Sequence, residues 1–223
     1  MLKYYDVGDV QLFSVIFDMD GTLLDTQRIC ISAWDFGGEK QGYKNLGNLI
    51  PRVCGMNEAG WQSVLLAEAP GLDLELFLKD IHEYYVKHSV VKAKEGMFEL
   101  LDFLKSHGVK MAVASGTRMS TIKRNFNEIN ALDYFDAIVG GDMVENGKPA
   151  PDVFLIAAQK MGAAPEDCFV FEDSENGMKA AKAAGMRCFS VPDVGIISSE
   201  TKETLFASLD KLSDAIEIFE KML

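Results

Sequence analysis

Asp18 and Asp20 stand one residue apart at the end of the apolar run 12–17, followed by Gly21-Thr22-Leu23-Leu24-Asp25-Thr26. Two carboxylates on a sharp turn at the C-terminal end of a buried strand lie where open α/β sheets bind ligands. They could hold a metal ion, act as nucleophile with an acid/base partner, or merely form a solvated turn. Three later segments offer matching chemistry. Ser115-Gly116-Thr117-Arg118 follows the apolar run 109–114, and a hydroxyl with backbone N–H groups freed at a strand-to-helix turn can hold a phosphate. Lys148 is pinned between Gly147 and Pro149, and Pro151 suits the first turn of a following helix. Glu172 and Asp173 end the run 168–171, giving a second pair of acids at a strand end.

These groups need a scaffold, and the chain alternates to supply one. Short apolar runs at 12–17, 109–114, 137–139, 168–171 and 187–191, each bounded by polar or Gly residues, suit strands buried on both faces of a parallel sheet. Helical patterns lie between them at 97–107, 119–129, 151–161 and 176–184. Strand and helix in alternation predict an α/β fold with a doubly wound parallel sheet. Residues 27–92 break the alternation. They hold no clear strand, and their best helical pattern is 74–88, with Leu74, Phe77, Leu78, Ile81 and Tyr85 on one side. Breaks are expected at 36–47, with four glycines, and at Pro70-Gly71. The division is therefore an α/β core of 1–26 and 93–223 with an all-helical cap of 27–92 inserted over the carboxylates, a natural lid. Residues 1–10 read as an irregular lead-in and 212–223 as a closing amphipathic helix. Phe98, Leu101 and Leu104 read as core. Trp34, Trp61, Tyr84 and Tyr85 read as packing between cap helices, and His82, His88 and His107 receive no function.

The 223 residues carry a net charge of −12, with 48% hydrophobic and 25% charged content. That describes a globular protein with room for a domain and a smaller companion. The acidic balance argues against nucleic acid and anionic membrane as partners. Cys30, Cys54, Cys168 and Cys188 form no close-spaced pair, which favours reduced thiols and a cytoplasmic setting over a zinc or redox motif. Neither a signal peptide nor a membrane span is expected.

The four segments, in this order and each after a strand, resemble the signature of the haloacid dehalogenase (HAD) phosphatase superfamily, and the resemblance runs from about residue 12 nearly to the end. It implies a Rossmann-like core and an aspartyl-phosphate mechanism. Asp18 would attack phosphorus, and Asp20 would serve as general acid, then base. Lys148 would pair with Asp18 and the phosphate. Ser115, Gly116, Thr117 and Arg118 would hold phosphate or substrate. Mg²⁺, which prefers hard oxygen donors, would sit on Asp18, Asp20 and Asp173, with Glu172 in or next to its ligand set. The small helical cap is similar to those of phosphoglycolate phosphatases and β-phosphoglucomutases.

Two departures bear on that choice. Cys30 stands where the mutase carries a cap histidine, and the loop Val53-Cys54-Gly55-Met56-Asn57-Glu58 lacks the mutase's cations, leaving Arg52 as the cap candidate for substrate. A mutase must grip a doubly phosphorylated intermediate, so the expectation is a Mg²⁺-dependent phosphatase of a small phosphorylated metabolite, monomeric or weakly dimeric. The alternative is a β-phosphoglucomutase-type sugar-phosphate mutase. A non-catalytic phospho-ligand binding module ranks lower, because Asp20 and Lys148 are both kept. Dehalogenase and phosphonate hydrolase readings rank lower too, since Asp20 would be idle in the first and no cap lysine suits the second.

Overall fold

The computed structural model describes residues 13–223, so the expected lead-in lies outside the described residues. After β1 (Ser14–Phe17) come five helices, α1 (Gln27–Glu39), α2 (Ile50–Val53), α3 (Glu58–Glu68), α4 (Leu74–His88) and α5 (Met97–Ser106). The chain then alternates: β2 (Lys110–Ala114), α6 (Met119–Glu128), β3 (Ala137–Val139), α7 (Asp152–Met161), β4 (Cys168–Glu172), α8 (Glu175–Ala183), β5 (Arg187–Ser190), α9 (Ser199–Lys202), β6 (Ala207–Ser208) and α10 (Asp214–Phe219). The strands form one sheet in the order β3-β2-β1-β4-β5-β6, every pair parallel. The architecture is the expected α/β sheet with a helical insert.

Side-chain alternation along the strands builds two apolar layers. Val15, Phe17, Val113, Phe171 and Phe189 face one side, joined by Leu100 and Leu104 of α5 and Phe219 of α10. Ile16, Ala114 and Val170 face the other, against Phe154 of α7 and Met178 of α8. With both faces covered, the strands read as continuous apolar runs rather than alternating ones. Phe17 pairs with Val113 on one side and Phe171 on the other. That register sets Asp18, Ser115 and Glu172 at one edge of the sheet, at the point where the chain switches from β2 to β4 as neighbour of β1.

The insert has its own core of Trp34, Leu46, Ile50, Val53, Leu65, Phe77 and Ile81. Here one expectation needs correcting. Phe36-Gly37-Gly38 does not break the chain; α1 runs through it to Glu39. A Cβ on Gly37 would lie 2.9 Å from Ile81 Cγ2 and 3.0 Å from Phe77, and one on Gly38 2.7 Å from Leu46 Cδ1. Gly37 lets α1 and α4 approach closely and Gly38 makes room for Leu46 in the turn after α1, and that packing outweighs their poor helix propensity. The two-residue β6 was not expected, and the closing helix spans only Asp214–Phe219 of 212–223. Among the described residues no helix is long and apolar enough to cross a membrane.

Candidate active site

Lys148 is the hub at the carboxyl edge of the sheet. Its side chain is fully buried, and Nζ donates to Asp18 Oδ1 at 2.7 Å, to Glu172 Oε1 at 2.5 Å and to the Ala114 carbonyl at 3.2 Å. Burial alone would lower its pKa, but Asp18 and Glu172 outweigh it, and the ammonium is held protonated above its ordinary range. One ammonium cannot satisfy the acids around it. Burial raises Asp18 well above the usual carboxylate range; Lys148 opposes this, while Glu172 and Asp20 add to it. Asp173 is raised for the same first reason, with Glu172, Asp18 and Asp193 adding to the effect.

Asp18, Glu172 and Asp173 can place carboxylate oxygens within 4.8 Å of one another. Three carboxylates against one ammonium leave two negative charges uncompensated, the charge a divalent cation neutralises. Asp173 Oδ1 accepts from Thr22 Oγ1 at 3.2 Å, whereas Oδ2 is buried without a hydrogen-bond partner. A buried carboxylate oxygen in that state is costly unless a cation meets it. The donor set is all oxygen, and this fits Mg²⁺. Glu172 is more fully engaged: Oε2 accepts from the amides of Asp173 and Ser174 at 3.0 and 2.9 Å and from Ser174 Oγ at 2.9 Å. Two glycines make this packing possible. Gly21 adopts φ +86, and a Cβ there would strike the Asp173 carboxylate; a Cβ on Gly177 would overlap Glu172.

Asp20 faces hydroxyls. Oδ1 accepts from Thr26 Oγ1 at 2.7 Å; Oδ2 accepts from Thr117 Oγ1 at 2.6 Å and Ser115 Oγ at 3.4 Å. Its backbone carbonyl accepts from Gln27 Nε2 at 3.0 Å. Asp20 thereby joins the β1 turn, the β2 turn and the first crossing into the cap. Ser115 Oγ also accepts from the Thr117 amide at 3.1 Å, so its hydroxyl orients its own turn.

A cavity of about 560 Å³ opens above these groups, lined from below by Asp18, Asp20, Ser115, Gly116 and Thr117. Its roof is apolar and aromatic, including Trp34, Val53, Trp61, Ile81 and Tyr85. The aromatic residues do pack between cap helices, Trp34 lying 5.4 Å from Trp61 and 5.7 Å from Phe77 between ring centroids, yet Trp34, Trp61 and Tyr85 also line the cavity. His82 lines it as well. The cap loop rests on the core: Asn176 Nδ2 donates to the Cys54 carbonyl at 3.0 Å, and a Cβ on Gly116 would strike the Met56 carbonyl.

Of the cap and rim candidates, Arg118 lines the cavity but is held by Glu58 at 2.6 Å. Arg52 lies outside it, paired with Glu68 at 2.6 Å with most of its side chain exposed. Cys30 reaches the cavity as a neutral thiol, pushed up to about 12 mainly by burial, so it brings no charge. Sequence reading gave no role to Thr22, Thr26, Gln27 or Asn176, although the first two sit inside the leading motif. Arg124 and Asn125, which also line the cavity, carried no signal beyond helix periodicity.

Comparison with known proteins bears on the family of the chain. The haloacid dehalogenase-like hydrolase family matches residues 15–191. The phosphorylated carbohydrates phosphatase of Thermotoga maritima is 36% identical over 78% of this chain and 82% of its own length. The fructose-1-phosphate phosphatase YqaB of Escherichia coli is 36% identical over 79% of this chain and 95% of its own. The crystal structure of a hydrolase from Pseudomonas syringae superposes with a TM-score of 0.80 at 25% identity, covering 94% of this chain and 99% of that one. The first two of these relatives are phosphatases, and this chain belongs to the haloacid dehalogenase-like hydrolase family.

Proposed function

We propose that the protein is a Mg²⁺-dependent phosphatase that hydrolyses the monoester of a small phosphorylated sugar through an aspartyl-phosphate intermediate. The observation that carries the reading is the buried Asp18–Lys148–Glu172 chain beside the unpartnered oxygen of Asp173. Asp18, the backbone carbonyl of Asp20 and Asp173 would hold Mg²⁺, with Glu172 fixing Lys148 and the start of α8. Bound there, the ion supplies charge neutralisation between the Asp18 carboxylate and an incoming phosphate.

Asp18 attacks phosphorus, and the ester P–O bond breaks. Asp20 gives its proton to the departing oxygen, then takes one from the water that hydrolyses the acyl phosphate and restores Asp18. Lys148 offsets the repulsion between two anions brought into contact and stabilises charge on the transferring group. Ser115, Gly116 and Thr117 bound the same space and would orient the phosphate. Residues 27–92 would act as one lid, with the aromatic roof facing the sugar.

Hydrolysis is favoured over the mutase reaction by the cations of the cavity. Arg118 is bound to Glu58 and Arg124 donates to Asn125, and Cys30 brings no charge for a second phosphate. The sugar-phosphate class draws support from the two phosphatase relatives. The test is release of inorganic phosphate from a panel including fructose 1-phosphate, β-glucose 1-phosphate and phosphoglycolate, with Mg²⁺ and with EDTA. Release that requires Mg²⁺ is expected. Conversion of β-glucose 1-phosphate to the 6-phosphate without release would establish a mutase instead, and release unaffected by EDTA would remove the metal from the scheme.

A further inference from the structure

Asp193 follows β5 in a loop, yet its side chain is fully buried. Its two oxygens have different surroundings. Oδ1 meets Lys94 Nζ at 3.2 Å and Arg28 Nη1 at 3.4 Å. Arg28 opens α1, just after the chain leaves the core for the insert, and also holds Asp25 at 2.9 Å. Lys94 lies in the segment by which the chain returns, where its amide bonds the Leu23 carbonyl at 2.8 Å. One carboxylate oxygen therefore ties together both crossings between core and cap.

Oδ2 points the other way. It is buried and has no hydrogen-bond partner, a state it shares with Asp173 Oδ2 and with no other side-chain oxygen or nitrogen of the described residues. The two orphaned atoms are neighbours: both lie within 2.8 Å of the position a Cβ on Gly21 would occupy. The loop is pressed against Asp173 itself, since a Cβ on Gly195 would lie 2.7 Å from the Asp173 carbonyl. A carboxylate present only as counterion to Lys94 and Arg28 would have no reason to bury its second oxygen unpaired beside another acid. Asp193 is also not part of the group whose oxygens can all meet within 4.8 Å, so it is placed to receive a water on the ion rather than the ion itself.

We propose that Asp193 is a positioning residue that couples metal occupancy to the cap: Oδ2 accepts from water on the divalent ion held by Asp18 and Asp173, while Oδ1 clasps Arg28 and Lys94 at the two cap crossings. This rests on the metal reading above. It gives the ion a route to the lid that bypasses the substrate, because filling the site fixes Asp193, and Asp193 fixes both crossings.

The test is calorimetric titration of the metal-free protein with Mg²⁺, comparing wild type, Asp193→Asn and Asp173→Asn. Wild type should bind and Asp173→Asn should not, while Asp193→Asn should bind at least about tenfold more weakly, the usual effect of losing a group that orients a metal site from its second layer. An unchanged Kd in Asp193→Asn overturns the inference and leaves the metal reading standing; no binding by wild type overturns both. Hydrogen exchange supplies a second readout that a merely structural salt bridge would not move. Mg²⁺ should slow exchange in segments 24–30 and 91–96 of wild type, and that difference should vanish in Asp193→Asn even if the variant is less stable overall. Equal protection of the two crossings by Mg²⁺ in both proteins would overturn the coupling.

Discussion

The core and the cap meet at one cavity but are built on opposite terms. The core floor is charged, buried and cross-linked by short hydrogen bonds between residues far apart in sequence: Lys148 to Asp18, Lys148 to Glu172, Thr117 to Asp20. The cap roof is apolar, joined by ring contacts and by glycines that let helices approach. A bonded floor has one productive arrangement, and losing a single atom from it should stop the chemistry. An apolar roof tolerates repacking and should tune only what fits beneath it. On the proposed function, chemistry and selectivity would fall to different parts of one chain.

The strongest way to break this division is Asp18→Asn. The change keeps shape and removes the proposed nucleophile, so turnover should fall by roughly 10⁴-fold or more. The melting temperature should hold or rise, because a carboxylate held unfavourably by burial has been neutralised. Phosphate release together with thermal melting checks both parts. Wild-type turnover in the variant would end the nucleophile assignment.

Lys148→Met should follow in size. It takes from the Asp18 and Glu172 carboxylates the only ammonium that pairs with them among the described residues, and one partner lost from a buried pair costs about 3–5 kcal/mol. Turnover should drop by about 10²–10³-fold through loss of charge stabilisation at the transferring group. Mg²⁺ should recover part of the lost stability, a recovery that melting curves with and without the ion will reveal.

Acidity offers a sharper probe of the floor. Asp18 and Asp173 titrate above the ordinary carboxylate value in the folded, metal-free protein. Their ionisation therefore costs stability. The cost is absent below the unfolded value of about 3.9 and complete above the raised folded values, so the metal-free protein loses stability as pH climbs through that window. On the proposed metal site, Mg²⁺ would bind the ionised forms and reverse the loss. Its stabilising effect should grow as pH climbs through the same window, and binding within that window should release protons. A melting shift independent of pH would mean that the ion does not sit on these acids.

The two regions also differed in how far the sequence disclosed them. Strands ending in acids were legible because a run such as Phe169-Val170-Phe171 before Glu172-Asp173 has few uses other than delivering charge to a sheet edge. Lys148 was legible through its Gly-Lys-Pro setting. What lay hidden needed a partner from elsewhere in the chain. Asp193 has nothing local to mark it, yet Lys94 and Arg28 meet one of its oxygens and neither meets the other. Trp61 and Ile81 show the helical spacing of core residues, which does not say whether one edge of the ring or branch faces a cavity. Gly37-Gly38 looked like a helix break because propensity is a local quantity, whereas Leu46 lies beyond the end of the helix and Phe77 far along the chain in α4, and these make the glycines necessary.

That last pair gives the smallest predicted effect and tests the cap side of the comparison directly. Replacing Gly37 by Ala inside α1 should gain about 1 kcal/mol of helix propensity. The added methyl must share space with Ile81 Cγ2 at 2.9 Å and the Phe77 ring at 3.0 Å, and overpacking of this kind costs about 1–3 kcal/mol. Packing should win by about 1 kcal/mol, lowering the melting temperature by about 2–4 °C for a chain of this size. The catalytic floor is untouched by this change, so kcat should stay near wild type while KM rises a little as Trp34, in ring contact with Phe77, is displaced at the roof. A gain in stability would show that the two helices have slack. A fall in kcat with KM unchanged would be the more damaging result, since it would mean that cap packing reaches the reacting groups and that floor and roof are not separable.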